Sequence, residues 1–482
     1  MSRRTRLGIA LAVGAVVLGV LGDALFQGQP LGLNVWLWVS AFTVALAALL
    51  RLARAPLHQG RRAMVGPLLV FAALFAWHDS PLLVAANLLA LAAAVTVGAL
   101  RNVRTATLTD YGERVVGAAT STAVGAAPLL MADITWSEVV GRVRSQRTAA
   151  IARGIALGLP LLVLFGGLFV AADAVFKHLL VTAVPTFDAR ILERLVIVAV
   201  WAWLAGGLLR DLLVARAEHE EAPFTVPRRI LGQLEIGVAL AFLDLLFLAF
   251  VVVQFRYLFG GAALVQSEAH LTYAEYARHG FFELVAVTAL TLPVLLLADW
   301  ALAGRGRRVF CWLAGLLLVL LGIVIASALE RLRLYVHHYG LTELRLYASG
   351  VVLWLAVVAA WFAVTVLRGR RHAFAVGALA AGFAATLVLN VLSPDSLIAR
   401  TNVTRPVVDV SYLAALSDDA VPTLVKRIDD LPPAQRLELA RALLARDRSA
   451  GDWRSWNVSR ARAAAAVRAH RDGLRALSER VP

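Results

Sequence analysis

The chain has one cysteine, Cys311, and two lysines, Lys177 and Lys426, among its 482 residues. A single thiol excludes an internal disulfide and any metal site built on several cysteines, and it leaves the redox compartment unread. Positive charge is carried almost entirely by arginine, in a chain rich in Ala, Val, Leu and Gly. That balance reads as the coding bias of a GC-rich bacterium, so arginine in place of lysine carries no chemical message. Charge of either sign is scarce: 16% of residues are charged, 60% are hydrophobic, and the mean hydropathy is +0.75. Such a composition excludes an ordinary soluble globule.

Common catalytic signatures are also missing. There is no GxxxxGK[ST] phosphate loop, no GxGxxG after a strand, no HExxH and no GxSxG elbow. ATP-driven transport within this chain and the commoner hydrolase chemistries therefore have no residues to carry them. No catalytic residue, cofactor or metal is expected, and no internal repeat of fixed period is found. The start, Ser2-Arg-Arg-Thr-Arg6 before an apolar helix, looks like a signal peptide. No small-residue cleavage site follows, so a retained first span is expected.

What the chain does contain is apolar runs of about twenty residues, the length that crosses a hydrocarbon core of about 30 Å. The expected fold is all-α, a polytopic membrane bundle with spans near 7–26, 31–52, 63–77, 81–100, 154–176, 195–213, 236–258, 280–302, 308–328, 346–367 and 373–392. The third is short and is expected to form a tight hairpin with the fourth across His78-Asp-Ser-Pro81. With the N-terminus inside, the inner segments collect 24 basic residues and the outer loops 8. A threefold bias repeated loop after loop orients the bundle and accounts for the net charge of +15 without nucleic acid. Residues 115–136 are mildly apolar. If they crossed, Arg305, Arg307, Arg308, Arg368, Arg370 and Arg371 would move outside, so they are expected as an inner interfacial or re-entrant piece.

These boundaries divide the chain into a four-helix region at 1–110, a basic inner segment at 111–153, a seven-helix core at 154–392 and a small helical domain at 393–482, placed outside. In that last domain Ser393-Pro394 reads as an N-cap with proline at the first helical position, and Pro432-Pro433 opens a second helix. Asp452-Trp-Arg-Ser-Trp456 is expected to introduce one long helix to about Ser478, with its tryptophans as packing anchors. The predicted setting is a bacterial cytoplasmic membrane. The partners are the bilayer and an envelope protein or polymer at the C-terminal domain.

Five stretches carry a family resemblance: Phe255-Arg-Tyr-Leu-Phe-Gly-Gly261, Tyr273 to Glu283, Tyr339-Gly-Leu-Thr-Glu-Leu-Arg345, Ser393 to Asn402, and Tyr412 to Pro422. Together they resemble bacterial multi-pass membrane proteins known only as a domain of unknown function, the 4153 and 4173 group, from about Ala150 to the end of the chain. The resemblance implies a membrane protein and no assigned chemistry.

Among individual residues, Asp244 sits near the middle of its span. A carboxyl there costs roughly 2.5–3.5 kcal/mol on insertion scales, so it is expected to face other helices or a polar cavity. It marks either an ion or substrate site or a hydrogen bond that locks helix packing. Glu275, His279 and Glu283 recur every four residues on one helical face, which suits a proton relay or a metal. Against that, Thr272-Tyr-Ala-Glu275 fits a capping box, and Gly280 interrupts the helix. The outer loop from Glu330 to Arg345, with His337, His338, Tyr335 and Tyr339, reads as an interfacial helix with an aromatic belt. Joined to Arg256, Tyr257 and the Glu283 face, it forms a candidate vestibule for a small anionic or zwitterionic ligand. Three function classes follow. They are translocation or binding of a small molecule or ion near Asp244, a non-catalytic scaffold or sensor presenting the C-terminal domain, and a lipid-linked glycosyltransferase-like enzyme. The last is disfavoured because only Asp23 precedes the minimal Gln27-Gly-Gln-Pro30 turn where such enzymes carry a long acidic loop.

Overall fold

The structure, a computed structural model, describes residues 1–125, 127–135, 138, 189–213, 233–259, 281–302, 306–446 and 451–479. Every regular element among them is helical, and nine of the described helices are long and apolar enough to cross a membrane. The protein is thus a polytopic helical membrane bundle. Two compact units are distinguished. The first holds Met1–Trp77, Val84–Pro223 and Ala450–Val458; the second holds His78–Leu83, Phe224–Ser449 and Ser459–Pro482.

In the first unit, α1 (Arg3–Phe26), α2 (Leu33–Leu52), α4 (Pro81–Ala99, from Val84 onward) and α6 (Ala189–Leu213) are candidate spans. Helix α3 (Gln59–Leu74) is the short third segment, with 16 residues and Pro67 inside it. Helix α1 packs tightly on α6 through glycine. A Cβ on Gly19 would lie 2.6 Å from the Val198 carbonyl, and one on Gly22 would lie 2.5 Å from the Trp201 ring. Small residues of this kind let membrane helices approach closely, where apolar burial alone gives no net drive. Arginine-bearing ends of these helices meet. Asp133, 2% exposed, receives Arg210 at 2.6 Å and Arg4 at 3.1 Å, while Arg61 donates to the Leu212 carbonyl at 2.5 Å. The described part of 115–136 holds the end of α5 (Leu108–Val124) and a five-residue π-turn at Leu129–Asp133. Helix α5, 17 residues long with none buried, is held to α6 by Ser121 to Asp211 and by Trp203 to the Ala123 carbonyl. The expected span at 154–176 lies outside the described residues.

In the second unit, α7 (Gln233–Phe259), α8 (Phe281–Ala301), α9 (Arg307–Tyr339), α10 (Glu343–Thr365) and α11 (Arg371–Leu392) share one apolar core. At one end Asp299 takes Arg371 at 2.6 Å and Arg307 at 3.2 Å, tying the α8, α9 and α11 termini together. Helix α9 corrects the sequence reading. Residues 330–339 are not a separate interfacial piece but the last turns of one 33-residue helix. That is about 50 Å long at ~1.5 Å per residue, well beyond a ~30 Å hydrocarbon core. No proline or glycine interrupts it after Gly322, and it stops at Gly340, whose φ of +82° favours glycine.

The C-terminal helices α12 (Pro394–Asn402), α13 (Val410–Ala415), α14 (Val421–Lys426), α15 (Pro433–Ala445), α16 (Val458–Ala469) and α17 (Arg471–Glu479) follow. Residues from Ile398 to Leu443, with Ala463, Val467 and Leu474, build a second core, and Leu341 and Leu346 pack against it. Three local expectations change. Ser393 has a left-handed backbone, φ +48°, so its hydroxyl does not cap α12, although Pro394 does open that helix. The expected long final helix turns at His470, which lets Val467 and Leu474 enter the same core. Trp453 and Trp456 are not packing anchors: they are 64% and 50% exposed, and the buried residues between and beside them are Ser455 and Asn457.

A candidate ligand cleft in the second unit

Five separate stretches of the second unit converge where α10 begins. Helix α9 ends at Gly340, and Thr342 then opens α10 by accepting from the Arg345 backbone at 3.5 Å. This places Glu343 in the first turn, where the helix dipole favours an acid. The C-terminal core docks on this turn. The Asn402 side chain pairs with both backbone groups of Leu341, at 2.9 and 2.7 Å, and the Glu343 N–H donates to the Tyr412 hydroxyl at 2.9 Å. Tyr412 is itself set by Asp409, which caps α13 by accepting from the Tyr412 N–H at 2.9 Å. Arg405 donates to the carbonyls of Val336, His337 and His338, closing the end of α9.

Asp395 follows Pro394 in the first turn of α12 and is fully buried. Its Oδ2 accepts from the Ser417 N–H at 3.2 Å, whereas its Oδ1 has no hydrogen-bond partner. The Glu343 carboxyl lies beside it, within hydrogen-bonding reach when one of the two acids carries a proton. Burial pushes the Asp395 carboxyl above the usual carboxylate range; hydrogen bonds from Ser417 oppose this, and the charge of Asp419 adds to it.

Asp419 is buried under opposite influences. It meets His78 Nδ1 at 2.9 Å and accepts from the backbone N–H groups of Asp79 and Ser80, at 3.0 and 3.2 Å, immediately before α4. Burial alone would raise its carboxyl, but the hydrogen bond and charge of His78 outweigh this and hold it below its ordinary value. The pair is almost dry, with side-chain exposures of 5% for His78 and 6% for Asp419. Around this core opens a cleft of about 280 Å³ lined by Asp79, Pro81, Glu343, Ala415, Leu416, Ser417, Asp418 and Arg446. Arg446 shapes its rim, donating to the carbonyls of Ala414 and Leu416 at 2.6 Å each and approaching Asp418 at 3.5 Å. Arg460 pairs with Asp79 at 2.8 Å.

Asp244 is 5% exposed in α7, and neither of its carboxyl oxygens has a hydrogen-bond partner. It lies on the buried stripe of Ile236, Leu240, Phe247 and Val251 that joins the core shared with α9. Glu283 is exposed in the first turn of α8. Glu330 pairs with Arg333 at 3.5 Å, and His337 is exposed on α9. Arg256 and Tyr257 fall in the last turns of α7 with side chains outside the described residues, as are Glu275 and His279 entirely. Of the four whose side chains are described, Asp244, Glu283, Glu330 and His337, none lines the cleft, nor a second hollow at Arg307, Arg308, Cys311 and Trp312. Among the described residues no group of three or more His, Cys, Asp and Glu is placed to hold a metal ion.

Reasoning from the sequence missed His78, Glu343, Asp395 and Asp419 as a site. The signal was present in part: Tyr339–Arg345, Ser393–Asn402 and Tyr412–Pro422 are three of the five stretches that carried the family resemblance. What could not be read was that they meet. Residues 65–427 match the family described as Domain of unknown function (DUF4153). The match starts earlier than the resemblance suggested, taking in the His78 tip, and stops before α15. No curated protein and no solved structure matches the chain.

Proposed function

The chain belongs to the DUF4153 family of unknown function, which carries no activity across, and we propose from its own residues that it is a membrane protein that captures a small organic cation in the cleft at Glu343. The observation that carries this reading is Asp395: a fully buried carboxyl with one oxygen unpartnered, behind the two cleft residues Ser417 and Glu343. A buried polar atom left unsatisfied costs about 1–3 kcal/mol, more for a charged group, and a ligand that satisfies it recovers that cost. Of the lining acids, Asp79 is matched by Arg460 and Asp418 by Arg446, which leaves Glu343, with Asp395 behind it, as the acid open to an ammonium or guanidinium group rather than an anion. The carboxylates do not converge as a metal cage, which favours a ligand with a carbon frame over a bare metal ion.

A second reading, translocation of a proton or ion through the bundle, is favoured by Asp244 and its two unpartnered oxygens. The scaffold reading is weakened by the docking of α12 to α15 on the α9–α10 turn, since a presenting domain has no need of that attachment. The test is a thermal-unfolding panel on the full chain in detergent at neutral pH. Probes are spermidine and choline, succinate and phosphate, and glucose. Only the two cations should raise Tm, and Glu343→Gln should abolish the rise. Equal shifts with anions, or none with any probe, overturn the reading.

A further inference from the structure

Residues 451–458 belong to the first unit and are sewn to the ends of its helices. The Leu33 N–H, at the first residue of α2, donates to the Trp456 carbonyl at 3.0 Å, and Arg454 donates to the Ala24 carbonyl in the last turn of α1 at 2.6 Å. Asn457 donates to the Phe75 carbonyl at 2.8 Å, and the Val458 N–H to the Ala76 carbonyl at 2.8 Å, just past α3. Gly32 allows this approach, since a Cβ there would lie 2.7 Å from the Ser455 carbonyl. Two backbone groups and two side chains thus fix this short strap to the helix ends, while Trp453 and Trp456 stand 64% and 50% exposed above it. Two further exposed tryptophans flank it: Trp36 in the first turn of α2, and Trp77 next to Ala76.

We propose that the 451–458 strap lies in the headgroup layer of the bilayer, with Trp453 and Trp456 as its interfacial anchors. Depth follows from the hydrogen bonds. A strap bonded to the first residue of one apolar helix and the last turn of another sits where the hydrocarbon ends. Tryptophan is favoured at that level because its ring is apolar and its indole N–H is wet. The C-terminal region thereby faces lipid here, where the sequence alone suggested an envelope partner. Four tryptophans at one end of the unit form the belt that an aqueous surface would not retain.

The test places a spin label at Trp453→Cys, and separately at Trp456→Cys, in a Cys311→Ser background of the full chain. A third label at exposed Arg475→Cys is the aqueous reference. In proteoliposomes, both tryptophan positions should show high collision with oxygen and low collision with a water-soluble nickel chelate. The deduced depth should fall within about 5–10 Å of the headgroup–acyl boundary. Nickel accessibility equal to that at position 475 overturns the proposal in favour of a water-facing strap. Low accessibility to both reagents overturns it in favour of a surface covered by protein.

Discussion

Asp395 and Asp419 are two acids of one site with opposite electrostatic settings, and pH separates them. The Asp395 carboxyl is raised by burial, so its contribution to stability is fully present below the ordinary carboxylate range, about 4. That contribution is lost as pH rises through the raised folded value. Asp419 is lowered by His78, so its contribution is present above the ordinary value and lost as pH falls through its depressed one. Of these two acids, Asp395 is the one that titrates above the ordinary carboxylate range, so its contribution to the ligand-free protein should be lost as pH rises through that raised value. The loss is about 1.4 kcal/mol for each unit by which the folded value exceeds the unfolded one. Asp395→Asn should flatten that loss, measured as Tm against pH. A slope unchanged by the substitution would mean that another group titrates. At this scale the sequence was least informative. Asp244 stood out because its neighbours in the chain are apolar, whereas Asp395 and Asp419 lie in ordinary polar stretches and are buried only by tertiary packing.

The helices themselves were far more legible. Apolar runs of about twenty residues are a one-dimensional property of the chain, and nine of the eleven expected spans fall on helices of suitable length. Helix ends were harder to read. Nothing local says whether Glu330-Arg-Leu-Arg-Leu-Tyr continues a span or begins anew, because both states use the same good helix formers. The structure resolves it through Arg405, which reaches from beyond α12 to close the last carbonyls of α9. A cation at a helix C-terminus is worth up to about 2 kcal/mol when partly buried. Arg405→Ala should therefore lower stability by about 1–2 kcal/mol and speed amide exchange across residues 330–339, with the first half of α9 unaffected. Uniform exchange changes along the whole helix would contradict a capping role.

For the whole molecule, the arginine bias makes a statement that structure alone does not. Within the first unit the basic ends of α1 and α6 meet around Asp133, and within the second those of α9 and α11 meet around Asp299. The cleft lies in neither cluster; it forms at the α9–α10 turn. If the arginine-rich ends face the cytoplasm, alkaline phosphatase fused after Pro482 should be active in a bacterial host, and one fused near Arg307 silent. The reverse pattern would turn the second unit over and put the cleft inside.

The central claim, that Glu343 and Asp395 hold a ligand while Asp244 does not, is tested most directly by equilibrium dialysis of labelled spermidine against purified wild type, Glu343→Gln and Asp244→Asn. Neutral replacements leave both folds intact to be compared. The cleft account predicts that Asp244→Asn binds like wild type and that Glu343→Gln weakens Kd at least tenfold. Loss of binding in Asp244→Asn with retention in Glu343→Gln would contradict it and move the site into the bundle.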